Sequence, residues 1–424
     1  MKKLIRPKNF INGIINLPGD KSLAHRTLIF GAISNGTTTI KNFPFSKSVM
    51  STLNCLRDLG ANIKIKSSSV IIKGNGIYGL HEPKKILDAG TSGTTLRLIL
   101  GLLAAQKFPS QIKCTGSLKN RPMDRVINPL RKMGAKIICD GNFKILPAKL
   151  SAIDYKMPVA SAQVKSAIIL ASIYCDGQTK IIEPPEKKSR DHTEHMLNYF
   201  GADIKFNGNE IFICDAKNLR GQSLKLPADI SSASFFIVLA LIFQNSHLIL
   251  NNVLINKRRI GIIKVLKKMG ASIKFLSPRQ IYNGEWVADI EVKSSTLNAI
   301  EIGGQDIVDM IDEIPIFIVA ALFANGTTII KDAAELHFKE SDRINCLAEE
   351  FNKLGAKIKP THDGFIIESG SDFKSALANS HDDHRIAMSL AIFSLAFKNE
   401  LAIENSQCVI DSFPQFFSYI DNFF

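Results

Sequence analysis

The chain reads as an α/β protein of two domains, each built from three copies of one strand–helix–strand–helix–strand unit. Two recurrent phrases and the length predict this. LRDLGANIKI (56–65), LRKMGAKIIC (130–139), LNYFGADIKF (197–206), LKKMGASIKF (266–275) and FNKLGAKIKP (351–360) are variants of one phrase. Each spells the end of an amphipathic helix, a glycine C-cap and the apolar/polar alternation of a strand. A second phrase lies between them, in GAISNGTTTIKN (31–42), ASIYCDGQTKIIE (171–183) and AALFANGTTIIKD (320–332), and spells a buried helix, a turn and a strand. Looser copies are GLLAAQKFPSQIKCTG (101–116), LALIFQNSHLILNN (239–252) and SLAIFSLAFKNELAIEN (389–405). Six copies in 424 residues give about seventy residues each, longer than a solenoid repeat. That length also exceeds what one core serves, so three units per domain is the natural division.

Each unit begins where a polar loop opens an apolar helix. The openings are PGDKSLAHR (18–26), AGTSGTTLR (89–97), ASAQVKSA (160–167), DISSASFF (229–236), DEIPIFIV (312–319) and DDHRIAMS (382–389). A helix N-terminus presents N–H groups without intrahelical partners and a partial positive charge, which attract phosphate or carboxylate. Several openings also carry Lys or Arg. Together they predict a site for small, multiply charged anions. The boundary falls just before the fourth opening, giving residues 20–228 as one domain and 229–424 as the other. The first strand precedes the first opening, so residues 1–19 are expected to join 229–424 and make that domain discontinuous.

Composition narrows the class. With 45% hydrophobic and 22% charged residues, the chain is of ordinary globular type. Its formal charge of +14 comes from scattered lysines rather than a basic block, and no nucleic-acid-binding module is visible, so no nucleic-acid partner is expected. The same field favours an anionic substrate. The seven cysteines (Cys55, Cys114, Cys139, Cys175, Cys214, Cys346 and Cys408) form no C-x-x-C pair and no zinc spacing, which fits reduced thiols and no bound metal. Pro7, Asn9 and Asn12 interrupt the N-terminal segment, and no apolar run is long enough to span a bilayer. A cytoplasmic protein without a membrane partner is expected.

The motifs PGDKSLAHR, GTSGTTLR, NRPMDR, SAQVKSA, IDEIPIFIVAALFA, KESDR and DDHRIAM occur in this order from about Leu17 to Pro414. In that order they resemble the 5-enolpyruvylshikimate-3-phosphate synthase family, and SAQVKSA resembles its class II branch. The resemblance implies a two-domain inverse α/β barrel, three βαβαββ units per domain, with the active site in the interdomain cleft. It implies transfer of the enolpyruvyl group of phosphoenolpyruvate to the 5-hydroxyl of shikimate 3-phosphate. Phosphate is released through a tetrahedral intermediate, without a cofactor, by a monomer.

Site residues follow motif by motif. Lys21 opens the first helix, and Ser22 and Arg26, four apart, share its face. The resemblance makes Lys21 a contact to both substrates and a catalytic candidate beside Asp312 and Glu340, and Ser22 and Arg26 contacts to shikimate 3-phosphate. Gly93 lies in a Ser/Thr/Gly loop that lets N–H groups approach an oxyanion. That loop lacks a P-loop ending, and the resemblance gives Gly93 to phosphoenolpyruvate. Thr91 stands where the family commonly has Asn. Arg121, beside Pro122, suits a phosphate by its planar fork, and the resemblance assigns it to phosphoenolpyruvate. Ser161 is an N-cap candidate. With Ala162 and Gln163 it matches shikimate 3-phosphate contacts, and Gln163 also matches a phosphoenolpyruvate contact. Ser189 falls at a further phosphate-binding serine, with Arg190 and His192 as neighbouring candidates. Asp312 matches the proton acceptor near the substrate hydroxyl and a shikimate 3-phosphate contact, while Glu313 reads as structural. Lys339 matches another shikimate 3-phosphate contact. Glu340 matches the proton donor to the methylene carbon, a role that needs a raised pKa. Arg343 and Arg385 match the pair that grips phosphoenolpyruvate, and His384 reads as a loop-fixing residue. Glu335 and Asp411 depart from the Asn and Lys of some members, so those contacts are not carried over.

Two other functions share parts of this pattern. A UDP-N-acetylglucosamine enolpyruvyl transferase would use a cysteine acid, and Cys114 is at a similar place, but PGDKS and KESDR favour the shikimate enzyme. A non-catalytic RNA-binding protein on the same repeat is favoured by net charge alone. Substrate groups drawn from both halves imply closure on binding. Small-angle scattering with shikimate 3-phosphate plus an inert phosphoenolpyruvate mimic is expected to show a smaller radius of gyration; an unchanged radius would count against closure.

Overall fold

The computed structural model describes residues 2–6, 11–216, 218–370, 372–397 and 400–423. Pro7 and Asn9 of the N-terminal reading, the side chain of Cys214, and residues 398–399 in the sixth unit lie outside them. Contacts divide the chain into two units. The amino-half unit comprises Gly19–Leu226 and Gln280–Glu285; the carboxy-half unit comprises Met1–Pro18, Pro227–Arg279 and Trp286–Phe424.

The repeated glycine phrase forms the same structure each time. Gly60, Gly134, Gly201, Gly270 and Gly355 all have φ between +88° and +103°, a conformation that a Cβ disfavours. They end helices Lys47–Asp58, Asp124–Lys132, His192–Tyr199, Gly261–Lys268 and Arg343–Lys353. A strand begins two residues after each, as at Asn62–Lys66 and Lys357–Thr361.

The opening helices are Lys21–Ala32, Gly93–Leu103, Ala162–Ser172, Ile230–Ile242, Ile314–Leu322 and His384–Phe397. Their residues are mostly buried, and every residue of Ile314–Leu322 is both apolar and buried. A helix without a polar face must sit inside its unit. The second helices of the repeats have one apolar face and cover the outside, as in Lys47–Asp58.

The described residues form six small sheets. In four repeats, the strand before the opening helix pairs in parallel with the strand after it. Asp154–Lys156 with Thr179–Ile182 is an example, and an antiparallel hairpin, Asp203–Asn207 with Glu210–Asp215, completes that sheet. The other two repeats exchange strands. Asn12–Ile15 precedes the first opening helix but pairs with His247–Leu254, after the fourth. Ser223–Lys225 precedes the fourth but pairs with Asn35–Lys41, after the first. The sixth sheet takes its antiparallel strand, Lys3–Ile5, from the start of the chain. The six described cysteines whose side chains are placed are free thiols. Among the described residues, no helix is long and apolar enough to cross a membrane.

Close helix contact depends on Gly101. A Cβ there would lie 2.4 Å from the Ala167 carbonyl oxygen on the neighbouring Ala162–Ser172 helix. Gly101→Ala would gain up to ~1 kcal/mol of helix propensity. Backbone cannot yield as a side chain can, so overpacking should win, with a net loss of about 1–3 kcal/mol in urea unfolding. An equal or higher unfolding midpoint would show that the two helices separate freely.

Candidate active site

In the amino-half unit, three helix openings meet through their first turns. Asp20, Ser92 and Ser161 cap them, accepting from the N–H groups of Leu23, Thr95 and Val164 at 2.8, 3.2 and 3.5 Å. Gln163 on the third helix donates from Nε2 to Thr94 Oγ1 on the second at 3.0 Å. Its Oε1 accepts from Arg97 Nη1. A Cβ on Gly93 would lie 2.9 Å from Arg97 Nη1 and 3.4 Å from Arg121 Nη1. Glycine there leaves room for two guanidinium groups at the opening. Gly93, Gln163 and Arg121 are brought together as the sequence motifs implied, and Arg97 joins them. Arg97 was missed, although its place four residues after Gly93 puts it on the same helix face.

Arg26, only 4% exposed, is turned inward. It donates to Ser22 O at 3.0 Å, Thr193 Oγ1 at 2.7 Å and Ser166 Oγ at 2.9 Å, tying the first helix to the third. Lys21 and Ser22 are half-buried at the first opening. Behind it runs a closed ring of side chains. His25 contacts Thr52 Oγ1 at 2.7 Å and Ser48 Oγ at 3.3 Å; Ser48 and Thr95 each contact Ser92 Oγ at 2.7 Å, and Thr52 contacts Thr95 at 2.7 Å. Burial, then the charges of Lys21 and Arg26, hold the His25 pKa well below the usual histidine range. The ring is thus a neutral support for the Ser92 cap.

Ser189 is buried and held by an acid. Its N–H donates to Glu183 Oε1 at 2.9 Å, and its hydroxyl donates to the same oxygen. Glu183 in turn bridges to Lys165 Nζ at 3.2 Å, which reaches Glu194 at 2.7 Å, all of them buried. His192 Nδ1 contacts Glu285 Oε1 at 2.5 Å, again fully buried.

In the carboxy-half unit, Arg343 is the hub. It begins helix Arg343–Lys353 and is 1% exposed. Asp383 receives its Nε at 2.8 Å and Nη2 at 3.2 Å, a two-point grip. Nη2 also donates to Glu340 Oε2 at 2.6 Å, and Nη1 lies 3.9 Å from Asp312 Oδ1. Burial works against the Arg343 charge, but Asp383 and Glu340 outweigh it and keep the guanidinium protonated. Burial likewise disfavours the Asp383 carboxylate, yet Arg343 prevails and lowers its pKa. Lys339 Nζ is 3.5 Å from Asp312 Oδ1. Asp312, Lys339, Glu340 and Arg343 therefore form one cluster.

Asp383 links that cluster to Arg385, whose N–H it accepts at 2.9 Å. Glu313 Oε1 lies 3.7 Å from Arg385 Nη1. The Nη1 atoms of Arg343 and Arg385 are both buried and make no hydrogen bond among the described residues. Asp383 was read only as part of the loop before Arg385, because its partner Arg343 lies 40 residues away. Glu335 is exposed in the turn Ala334–Phe338, and Asp411 ends the turn Ser406–Asp411.

No metal spacing is visible in the sequence, but folding gathers ligating atoms of Glu349, Glu350 and His381 within 4.8 Å of one another. Lys353 Nζ lies 2.8 Å from each of the two carboxylates, so the chain supplies its own cation there. Cys114 is buried just after strand Ser110–Lys113.

Residues 5–420 match the family described as EPSP synthase (3-phosphoshikimate 1-carboxyvinyltransferase). The 3-phosphoshikimate 1-carboxyvinyltransferase of Thermoanaerobacter sp. (strain X514) is 48% identical over 421 residues, 98% of this chain and 99% of that protein. The enzyme of that name from Petrotoga mobilis is 49% identical over 425 residues, 98% of each. A solved EPSP synthase from Acinetobacter baumannii is similar with a TM-score of 0.88 and 40% identity, covering 99% of this chain and 97% of that one. The fold is thus that of those enzymes, the two-domain inverse α/β barrel, and the chain belongs to the EPSP synthase family.

Proposed function

We propose that the chain transfers the enolpyruvyl group of phosphoenolpyruvate to the 5-hydroxyl of shikimate 3-phosphate and releases phosphate. The observation that carries this is a pair of buried guanidinium atoms without a hydrogen bond among the described residues: Arg343 Nη1, whose side chain also meets the carboxylates Asp312 and Glu340, and Arg385 Nη1, which faces Glu313. N–H donors held in a dry site suit an anion, and adjacent carboxylates suit proton transfer. Family membership supplies the substrates.

In this reading, Asp312 accepts the proton of the 5-hydroxyl as its oxygen bonds to the central carbon of phosphoenolpyruvate. Glu340 delivers a proton to the methylene carbon, giving the tetrahedral intermediate; this step needs Glu340 protonated rather than as the carboxylate paired with Arg343 at 2.6 Å. That methyl then returns a proton to the Glu340 carboxylate as the carbon–phosphate oxygen bond breaks, which restores the double bond, and the phosphate leaves with the proton that Asp312 had taken. Arg343, Arg385, Arg121, Gly93, Lys21 and Gln163 hold phosphoenolpyruvate. Lys21, Ser22, Arg26, Ser161, Ala162, Gln163, Ser189, Asp312 and Lys339 hold shikimate 3-phosphate. Arg97, crowded against Gly93 with Arg121, adds to the anion clamp. Because Ser189 spends its hydroxyl proton on Glu183, a phosphate contact requires that hydroxyl to rotate. The enzyme works as a cytoplasmic monomer on small molecules, with no nucleic-acid partner; its dispersed positive charge suits the substrates.

Phosphate release from shikimate 3-phosphate plus phosphoenolpyruvate, in a coupled assay, tests the activity directly; no release with pure folded protein refutes it. Glu340→Gln and Asp312→Asn keep size but remove proton transfer, so kcat should fall by about two orders of magnitude or more. Shikimate 3-phosphate affinity should survive better in Glu340→Gln, whose target is the other substrate. Near-normal kcat in that variant would move the donor role to Lys21.

A further inference from the structure

Glu313 begins as an unremarkable acid at a helix start, where acids favour the dipole. The structure gives it more specific surroundings. It is fully buried, and four side chains around it come from three separate segments of the carboxy-half unit. Arg259, 1% exposed, donates from Nη2 to Ser231 Oγ at 2.9 Å. Ser231 in turn donates to Glu313 Oε1. The same oxygen faces Arg385 Nη1 at 3.7 Å. Asp229 caps the Ile230–Ile242 helix through the Ser231 N–H at 2.8 Å and stands 3.5 Å from Arg259 Nη2. An arginine can only donate, so the hydrogen bonds run from Arg259 to Ser231 and from Ser231 to Glu313, which Arg385 faces from the other side. Ser231 and Arg385 both lie in first turns, and Glu313 immediately precedes the third.

We infer that Glu313, anchored by Ser231 and Arg259, is a positioning residue that aims the Arg385 guanidinium at phosphoenolpyruvate. This rests on the function proposed above. The distance supports it: at 3.7 Å, Nη1 is attracted by Glu313 but makes no hydrogen bond to it. A direct bond would spend the donor on the protein. A missing carboxylate would leave a buried guanidinium without its neighbouring counter-charge, free to turn toward Asp383. Holding Arg385 by charge while leaving one N–H available meets both needs.

An opposite role is physically reasonable and gives the opposite result. If Glu313 merely offset the charge of Arg385, its removal would make the site more positive and tighten the binding of phosphoenolpyruvate. The experiment is therefore the KM for phosphoenolpyruvate of Glu313→Gln at saturating shikimate 3-phosphate, with shikimate 3-phosphate affinity measured separately by calorimetry. Positioning predicts a KM higher by about tenfold, kcat within about threefold, and unchanged shikimate 3-phosphate affinity. An unchanged or lower KM overturns the inference, and so does an equal loss for both substrates.

Ser231→Ala keeps the Glu313 charge but removes its anchor, and decides the matter if Glu313→Gln does not fold. Positioning predicts a KM rise of roughly threefold there, while charge balance predicts none. The effects of Glu313→Gln and Arg385→Lys should also be non-additive, since one acts through the other. If the wild-type protein releases no phosphate, the proposed function fails and takes this inference with it. An active wild type with unaffected Glu313 and Ser231 variants sinks the inference alone.

Discussion

Three buried helix openings meeting at one place is the constraint on which each unit depends. Every opening brings N–H groups without intrahelical acceptors and the positive end of a dipole, and three together repel. The amino-half unit satisfies them with one acid and two hydroxyls, Asp20, Ser92 and Ser161. The carboxy-half unit uses acids, with Asp229 as a cap, Glu313 at a cap position and Asp383 accepting from the Arg385 N–H. Those acids in turn stabilise buried arginines. The chemistry of the two clusters differs because their caps differ.

The buried charges serve placement more than stability. Lys165, Glu183 and Glu194 are all buried, and a well-packed apolar trio would stabilise the unit as well or better. Their effect is local: Glu183 holds both the N–H and the hydroxyl of Ser189. Arg343 is similar. Its two-point grip on Asp383 fixes the plane of the guanidinium, so the direction of Nη1 is set before any ligand arrives.

What the sequence made legible was local. The five glycine C-caps, the six openings and the Ser161 cap each depend on a few adjacent residues, and each is present. Motifs of known kind also grouped Asp312, Lys339, Glu340 and Arg343, which the fold then clusters. Pairings across distant segments were not legible. Nothing near Arg343 announces Asp383, and nothing near Ser189 announces that Glu183 holds its hydroxyl. Nothing near Lys165 announces its burial, which depends on two acids 18 and 29 residues further on. The Glu349, Glu350 and His381 group escaped for the same reason, since folding rather than spacing creates it.

One position in the repeat gathers much of this chemistry. The second residue of the opening helices is Ser22, Thr94, Gln163, Ser231, Pro315 and Arg385 in turn. Side chains on a helix lean toward its N-terminus, so at this position they reach back over the opening itself. Thr94 and Gln163 bond to each other there, while Ser231 and Arg385 meet through Glu313. Pro315 is the exception; it can contribute no side-chain polar group, and its ring suits the first turn of a helix. In that repeat the polar duty falls to the preceding Asp312 and Glu313, one half-exposed among Lys339 and Arg343, the other buried against Ser231. With proline at the shared position the acids lie just outside the helix, where the Asp312 carboxylate stays partly exposed and its neighbour Glu313 turns inward.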